Sequence, residues 1–199
     1  MPGIDEILSF WFGEGDPDDP ANANMKLWFQ GGADLDQQIA TRFGTRIEQA
    51  GLGALEDWKQ SARGRLAWTL LLDQFTRNAY RGTPRMYIFD LLALQSSREA
   101  IAQGQDKELP FIQRAFLYLP LEHSEELHAQ EECVSLYEAL AQEARNHPLE
   151  GALTGMLDFA ERHAVVIRKY GRFPHRNEIL SRVSTPEEEA FLASDAAPF

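Results

Sequence analysis

The chain has 199 residues, of which 44% are apolar and 25% charged, and its formal net charge is −12. This composition is typical of one globular domain, here residues 1–199, and it excludes a disordered or collagen-like chain. The negative charge disfavours nucleic-acid binding, the apolar stretches are too short to span a membrane, and a lone cysteine, Cys133, excludes an internal disulfide. Because the acidic opening differs from a signal peptide, we expect a soluble cytoplasmic protein.

Apolar residues recur at helical spacing along nearly the whole chain, and no segment alternates like a strand of a hairpin. The pattern predicts a first helix ending near Gly13 and a short aromatic helix over residues 25–30. A third helix follows an Asp34 cap and stops at Gly51. The aromatic residues of this N-terminal third are predicted to be core or helix-pair contacts: Phe10, Trp11, Phe12, Trp28, Phe29 and Trp58.

Capping residues and prolines mark the remaining helices. Four are predicted from the Ser61 cap to about Tyr80, from Thr83-Pro84 to Gly104, from Pro110 to Pro120, and from the Ser124 cap to about Arg145. A long helix then ends at Gly171, and Thr185-Pro186-Glu187-Glu188 is a capping box that starts a short one. The sequence therefore predicts an all-α fold of about nine helices in antiparallel pairs, either an α–α superhelix or an irregular bundle.

Basic residues are concentrated in two segments of this acidic chain. Residues 63–98 carry six arginines and two acids, and residues 162–182 carry five arginines, one lysine and one acid. Fifteen of the nineteen basic residues are arginine, whose planar guanidinium binds carboxylates and phosphates through two hydrogen bonds. Salt bridging explains any single arginine, but two such segments raise the question of a shared anion site.

Polar side chains interrupt an otherwise buried helix within residues 71–84. One side of that helix carries Gln74, Arg77, Asn78 and Arg81, and Asp73 adjoins them. A helix that is apolar over most of its circumference is surrounded, so its polar stripe faces either partner side chains or a cleft. The two interpretations are an internal network, in which Asp73 pairs with Arg77, and a ligand site.

A second polar group follows the apolar helix of residues 116–120. It presents a carboxylate, an imidazole and a hydroxyl, those of Glu122, His123 and Ser124, at a helix start, and Glu125 follows them. Such a group can perform acid–base chemistry or bind a metal. The alternative is that helix-dipole matching explains both acids and that packing explains the histidine.

A third polar group lies on a loop held by Gly171 and Pro174. Arg172 and Arg176 are candidates to bind an anion, with Asn177 beside them. His163 and His175 are the candidates to titrate near neutral pH. In the alternative interpretation these side chains satisfy carbonyl groups at helix ends.

Several of these segments resemble one known family. LAWTLLLDQFTRNAYRGTP, FLYLPLEHSE, RH followed by YGRFPHRN, and STPEEEAFL occur in this order in the bacterial family called domain of unknown function 924. The resemblance covers essentially the whole chain and includes every candidate site residue named above. It implies an all-helical fold similar to the tetratricopeptide-repeat superfamily, and it implies no particular activity.

Three hypotheses follow for the function. In the first, the polar groups converge on a pocket that binds a small anionic molecule through Arg77, Arg81, Arg172 and Arg176. If this pocket is catalytic, as in a hydrolase or a transferase, Glu122 and His123 are its acid–base pair and His175 a further catalytic candidate. The second hypothesis is a groove whose arginines clamp an acidic peptide, and the third is a polar core without a ligand.

The ligand and any cofactor cannot be named from the sequence. The other candidate ligand-binding residues of the first hypothesis are Asp73, Gln74, Asn78, Glu125, His163 and Asn177. Metal binding through Glu122, His123, Glu125 and His163 is a weaker alternative, and no metal site is assigned. The oligomeric state stays open.

Overall fold

Eight α-helices and five turns of 3₁₀-helix are joined by short loops in the described part of the chain. The structure is a computed structural model that describes residues 1–22, 24, 27–28 and 31–194. The helices are α1 (Ile4–Phe12), α2 (Ala33–Gly51), α3 (Ala62–Ala79), α4 (Asp90–Ala102), α5 (Phe111–Glu122), α6 (Leu127–Glu143), α7 (Glu150–Tyr170) and α8 (Pro186–Leu192). The all-α prediction is confirmed, and the predicted helix over residues 25–30 lies mostly outside the described residues. Within those residues, no helix is long and apolar enough to cross a membrane.

The central helix is α3, which packs against α1, α2, α4 and α5. Every residue from 64 to 73 is buried, so this helix runs through the core. The hydroxyl of Ser61 accepts a hydrogen bond from the Gly64 N–H at 3.2 Å, which confirms the predicted cap. Any polar side chain on so buried a helix must meet another polar group or a cavity.

Aromatic rings from four helices form the core beside α3. The ring of Phe75 lies 4.9 Å from that of Phe43 and 5.3 Å from that of Trp11, while Phe116 of α5 lies 5.9 Å from Trp11. The indole N–H of Trp28 donates to the Trp11 carbonyl at 2.9 Å. Trp28 is thereby fixed against α1 with one side toward α5.

The predicted helix from Thr83 to Gly104 is interrupted. Residues Pro84–Tyr87 form a 3₁₀ turn, and α4 begins only at Asp90. The Thr83 hydroxyl donates to a carbonyl of the preceding turn at 2.7 Å, so it does not cap the following helix. The interruption brings the Asp90 carboxylate to Arg77 of α3.

Pro120 was predicted to end α5, but the helix continues to Glu122. A proline removes one backbone N–H, and the next turn still closes because the His123 N–H donates to a carbonyl of α5 at 2.9 Å. The Gln130 amide of α6 also donates to the Glu122 and Ser124 carbonyls, at 2.6 and 2.7 Å. The extra turn places Glu122 and His123 together at the end of α5.

Two predicted caps lie elsewhere in the structure. Ser124 precedes α6 by three residues, and its hydroxyl accepts the Glu126 N–H in a tight turn. Asp34 lies inside the first turn of α2, where its charge complements the helix dipole, and Gly32 occupies the cap position. Each of these shifts moves a helix start by two residues and leaves the helix order unchanged.

The C-terminal helix boundaries agree with the prediction. Gly171 ends α7 with φ of 66°, in the left-handed region that favours glycine. The Thr185 hydroxyl accepts the Glu188 N–H at 3.2 Å, while the Glu188 carboxylate accepts the Thr185 N–H at 2.8 Å. This is the complete capping box that starts α8.

Candidate functional site

The polar stripe of α3 faces two different neighbours. Its first part, residues 73–77, faces the end of α5 and the start of α4. Its second part faces α2, where Asn78 and Arg81 donate to the Asp36 carboxylate at 2.9 and 2.6 Å. Asn78 and Arg81, both predicted to bind a ligand, therefore hold α3 against α2.

A buried carboxylate, that of Asp73, orients the imidazole of His123. Asp73 is 1% exposed, and its Oδ1 lies 2.7 Å from Nδ1 of His123. The Gln74 amide donates to the other carboxylate oxygen, Oδ2. Because Nδ1 is held, Nε2 is the nitrogen that faces away from the carboxylate, and it makes no hydrogen bond to the described part of the chain.

Arg77 keeps Asp73 ionised and links it to α4. Its guanidinium lies 3.1 Å from Asp73 Oδ1 and makes two 3.0 Å hydrogen bonds to Asp90. Burial alone would raise the pKa of Asp73, but Arg77 and His123 hold that pKa well below its usual range. Burial, followed by the charge of Arg77, lowers the pKa of His123. At pH 7 the pair is an aspartate and a neutral imidazole.

Arg176, on the loop after α7, contacts the backbone of His123. Its Nη2 donates to the His123 carbonyl at 2.8 Å, and its Nη1 lies 3.6 Å from Asp90. The guanidinium also lies between the rings of Tyr87 and Phe173, at 4.7 and 4.6 Å from their centres. Arg176 therefore fixes the backbone of His123.

A cavity of about 650 Å³ lies beside the Asp73–His123 pair. Most of its lining is apolar and comes from Trp28, Ile112, Phe116, Leu119, Gly151, Ala152, Gly155, Met156 and Phe159. Four polar residues complete the lining, and we call them the polar wall: Gln74, Glu122, His123 and His163. Cavities that bind small molecules in proteins have volumes of roughly 300–1,000 Å³ and similar mixed linings.

Glu122 is a buried carboxyl group in the polar wall that has no hydrogen bond to the described part of the chain. It is 5% exposed, and its carboxyl lies 3.7 Å from Nδ1 of His163. That nitrogen is 2.8 Å from the Phe159 carbonyl, which is the better hydrogen-bond distance. Burial, followed by the nearby charge of Asp73, raises the pKa of Glu122 to about 8. The carboxyl is therefore mostly protonated at pH 7.

The two other candidate histidines are neutral and lie in different places. Burial lowers the pKa of His163, which lines the cavity, to about 4. Burial, followed by the charge of Arg176, lowers the pKa of His175 to about 3. His175 lies outside the set of cavity-lining residues, and its ring packs 5.6 Å from that of Phe173. His175, a predicted catalytic residue, therefore does not line the cavity that Glu122 and His123 line.

Residues 172–188 and Glu125, which precedes α6, form a separate group of polar contacts. We call this group the C-terminal network: Glu125, Arg172, Asn177, Arg182 and Glu188. Arg172 donates to the Glu188 carboxylate at 2.6 and 2.7 Å, and Asn177 donates to it at 3.2 Å. Arg182 makes two hydrogen bonds to Glu125, at 2.7 and 3.0 Å. Glu125, Arg172 and Asn177, which were predicted to bind a ligand, are thus partners within the fold.

The four arginines predicted to bind an anion do not converge on one cleft. Each lies against a carboxylate: Arg77 against Asp73 and Asp90, Arg81 against Asp36, Arg172 against Glu188, and Arg176 against Asp90. None of the four is among the described residues that line the cavity. The physical reason is that a partly buried guanidinium is stabilised by a nearby carboxylate, and this acidic chain supplies one for each.

One wall of the cavity was not found from the sequence. It is the first half of α7, which contributes Gly151, Ala152, Gly155, Met156 and Phe159. A side chain added at Gly151 or Gly155 would meet no atom within 4 Å, so these glycines leave the space open. Two glycines four residues apart on a helix were the available signal, because they lie on the same face.

Metal binding has little support in the described ranges. No group of three or more histidine, cysteine or acidic side chains comes together there. Of the alternative metal ligands, Glu125 is bound to Arg182, and Nδ1 of His163 lies against a carbonyl.

The fold and the cavity together define an all-helical protein in which a buried aspartate–histidine pair forms part of a largely apolar cavity. The chain belongs to the DUF924 family of bacterial proteins of unknown function, whose family model matches residues 7–196. It is similar to a solved structure, the protein of unknown function ATU0120 from Agrobacterium tumefaciens, with 37% identity, a TM-score of 0.79 and 96% of each chain covered. A search of curated proteins gives no match.

Proposed function

We propose that the cavity binds a small molecule with an apolar body and one polar group, and that His123 performs acid–base chemistry on that group, as in a hydrolase or a transferase. The observation that supports this proposal best is the 2.7 Å contact between Asp73 Oδ1 and His123 Nδ1 at the wall of the cavity. A carboxylate that holds one imidazole nitrogen orients the ring and stabilises the positive charge that forms when the other nitrogen accepts a proton.

The polar wall offers a base and an acid next to each other. At pH 7 His123 is neutral and accepts a proton through Nε2 from a water molecule or a substrate hydroxyl. Glu122 is mostly protonated and donates to a leaving group. Activity is therefore expected to fall at acidic pH, where His123 is protonated, and again above about pH 8, where Glu122 ionises.

A peptide-clamping groove, the alternative function, fits the arginines less well. Consecutive packed helices, α2 with α3 and α6 with α7, support our proposal that the fold is related to the tetratricopeptide-repeat superfamily. Clamping an acidic peptide, however, requires arginines that the fold has not already neutralised. Arg81 and Arg172 each bind a carboxylate through two hydrogen bonds.

Binding is tested by blocking the cavity. The probe is 4-phenylbutan-1-ol, which has an apolar body and one hydroxyl, and its binding is measured by calorimetry. Gly155→Leu is expected to abolish binding, because its side chain enters the cavity. Gly44→Leu is the matched control, since Gly44 is also inside a helix with open space around it but lies on α2, away from the cavity. Equal binding by both variants would contradict the proposed site.

Catalysis is tested with a substrate of the same kind, p-nitrophenyl butyrate. His123→Asn keeps a polar group near Asp73 but removes the base, so we expect hydrolysis to fall by about 100-fold. His128→Asn is the control for nonspecific imidazole catalysis, because His128 is exposed on α6. Loss of equal size in the two variants, or no loss in His123→Asn, would overturn the catalytic role of His123.

A further inference from the structure

The ionised acids around the polar wall each lie against an arginine, whereas the Glu122 carboxyl does not. Asp73 lies against Arg77, and Asp90 lies between Arg77 and Arg176. The Glu122 carboxyl has no such partner in the described part of the chain, although it is 95% buried and lines the cavity. A buried carboxyl without a hydrogen bond is costly, and a ligand that pairs with it recovers that cost.

The other titratable groups that face Glu122 carry no positive charge at pH 7. On α6 they are Cys133 and Tyr137, and burial, followed by the Glu122 carboxyl itself, raises the pKa of both. On α5 and α7 they are His123 and His163, and burial lowers the pKa of both. On α3 it is the negative Asp73. The wall of the cavity thus contains the Glu122 carboxyl, and none of the described titratable groups that face this carboxyl is positively charged.

Aromatic rings complete a surrounding suited to a positive charge. Trp28, Phe116 and Phe159 line the same cavity as Glu122. The faces of aromatic rings attract ammonium groups, and a net charge of −12 draws cations toward the protein.

We propose that the cavity recognises an organic cation, an amine with an apolar body, whose ammonium group binds the Glu122 carboxylate. The inference rests on the proposed function only in that the cavity is the ligand site, and it names the class of ligand. In the amine complex Glu122 is the ionised partner of the ammonium group, and this role replaces the role of general acid that the proposed function gives to the residue. It replaces the small anionic molecule expected from the sequence, because the arginines that would bind an anion are held by carboxylates.

Binding of an ammonium group at Glu122 has a measurable consequence. The carboxyl is mostly protonated before binding at pH 7 and must ionise to pair with the cation. Close to one proton is therefore released for each amine bound. An anion would instead require protonation of His123 and proton uptake, and a neutral ligand would exchange no proton.

Three probes with the same body separate these cases: 4-phenylbutylamine, 4-phenylbutan-1-ol and 4-phenylbutanoate. Calorimetry at pH 7 in two buffers with different heats of ionisation gives both the affinity and the number of protons exchanged. We expect the amine to bind at least roughly tenfold more tightly than the carboxylate and to release close to one proton. Tighter binding of the carboxylate, or proton uptake, would overturn the inference.

The decisive variant is Glu122→Gln, which keeps the shape of the side chain and removes the charge. It is expected to lose the preference for the amine and the proton release, while its affinity for the alcohol stays within about twofold. Glu161→Gln, which removes an exposed charge from α7, should behave as the native chain does. If the alcohol binds but the amine is not preferred, only the inference fails. If no probe binds, the proposed function fails as well.

Discussion

The polar wall and the C-terminal network both contain residues that the sequence singled out, yet they differ in how their polar groups are satisfied. In the C-terminal network, Arg172, Asn177 and the Thr185 N–H all donate to Glu188, which is 2% exposed. In the polar wall, the Glu122 carboxyl has no hydrogen bond to the described residues, and His123 Nε2 has none either. Both groups contain buried titratable side chains, but only the polar wall leaves hydrogen-bonding capacity for a ligand.

This difference indicates how a structural polar cluster is told from a binding site. Buried polar groups in proteins are nearly always hydrogen-bonded, so the exceptions require an explanation. Strongly shifted pKa values occur in both regions, since partners lower the pKa of Glu188 to about 2 and burial raises that of Glu122 to about 8. The direction of the shift is informative: partners within the fold lower the pKa of an acid, while an acid without partners has a raised pKa.

The largest expected effect comes from breaking the C-terminal network. Glu188→Ala leaves Arg172 and Asn177 without their shared partner and removes the capping box of α8. We expect the free energy of unfolding to fall by about 3–5 kcal/mol, as measured by urea denaturation. Glu189→Ala is the control, because Glu189 is exposed on the same helix, and its effect should stay within about 0.5 kcal/mol. A similar small effect for Glu188→Ala would show that the network is not structural.

An effect of intermediate size on the free energy of unfolding is expected from Glu122, and it depends on pH. The folded-state pKa of about 8 lies above the ordinary value of 4.5, so the folded chain binds more protons than the unfolded chain between these values. Stability therefore falls as pH rises through this window. Between pH 5.5 and 7.5, native protein should lose about 2 kcal/mol relative to Glu122→Gln.

Urea denaturation of both proteins at the two pH values measures this difference. Glu161→Gln gives the comparison for an exposed carboxyl on α7. A Glu122→Gln variant that follows the native pH dependence would show that the Glu122 carboxyl is not held protonated, and the acid role proposed for it would be lost.

The smallest effect is expected at Arg81, a site residue in the sequence prediction. Its side chain is 54% exposed and pairs with Asp36. Arg81→Ala should lower the free energy of unfolding by about 0.5–1 kcal/mol, and less at high salt. Binding of 4-phenylbutan-1-ol should not change, since Arg81 lies outside the cavity lining. Weaker binding of 4-phenylbutan-1-ol to this variant would show that Arg81 does belong to the ligand site.

Helix boundaries were predictable where local chemistry decides them. Ser61 and the Thr185 capping box start their helices, and Gly171 ends α7, because each acts on backbone groups of the same segment. Thr83 misled because a competing local hydrogen bond takes its hydroxyl, and Pro120 misled because a tertiary contact supports the helix beyond it. Thr83 bonds to the preceding turn, and α5 extends past its proline with the support of the α6 amide that binds its last carbonyls.

The types of residue in the site were predictable from the sequence, but which side chains contact each other was not. Asp73 and His123 stood out as polar groups in apolar surroundings, and the structure brings these two side chains together across fifty residues of sequence. The partner of each arginine lies far away in sequence, as with Asp36 and Arg81, which are forty-five residues apart. Which acid neutralises which arginine depends on helix packing, so the sequence could not separate a ligand site from a network.

The position of Trp28 gives the cavity an optical signal of its own. Of the four tryptophans, Trp28 lines the cavity, while Trp11 and Trp68 are each only 2% exposed. Indole fluorescence moves to shorter wavelength when water near the ring is replaced by apolar groups. A ligand in the cavity therefore changes the emission of Trp28 directly. Its binding can be followed by the intrinsic fluorescence of the unlabelled protein.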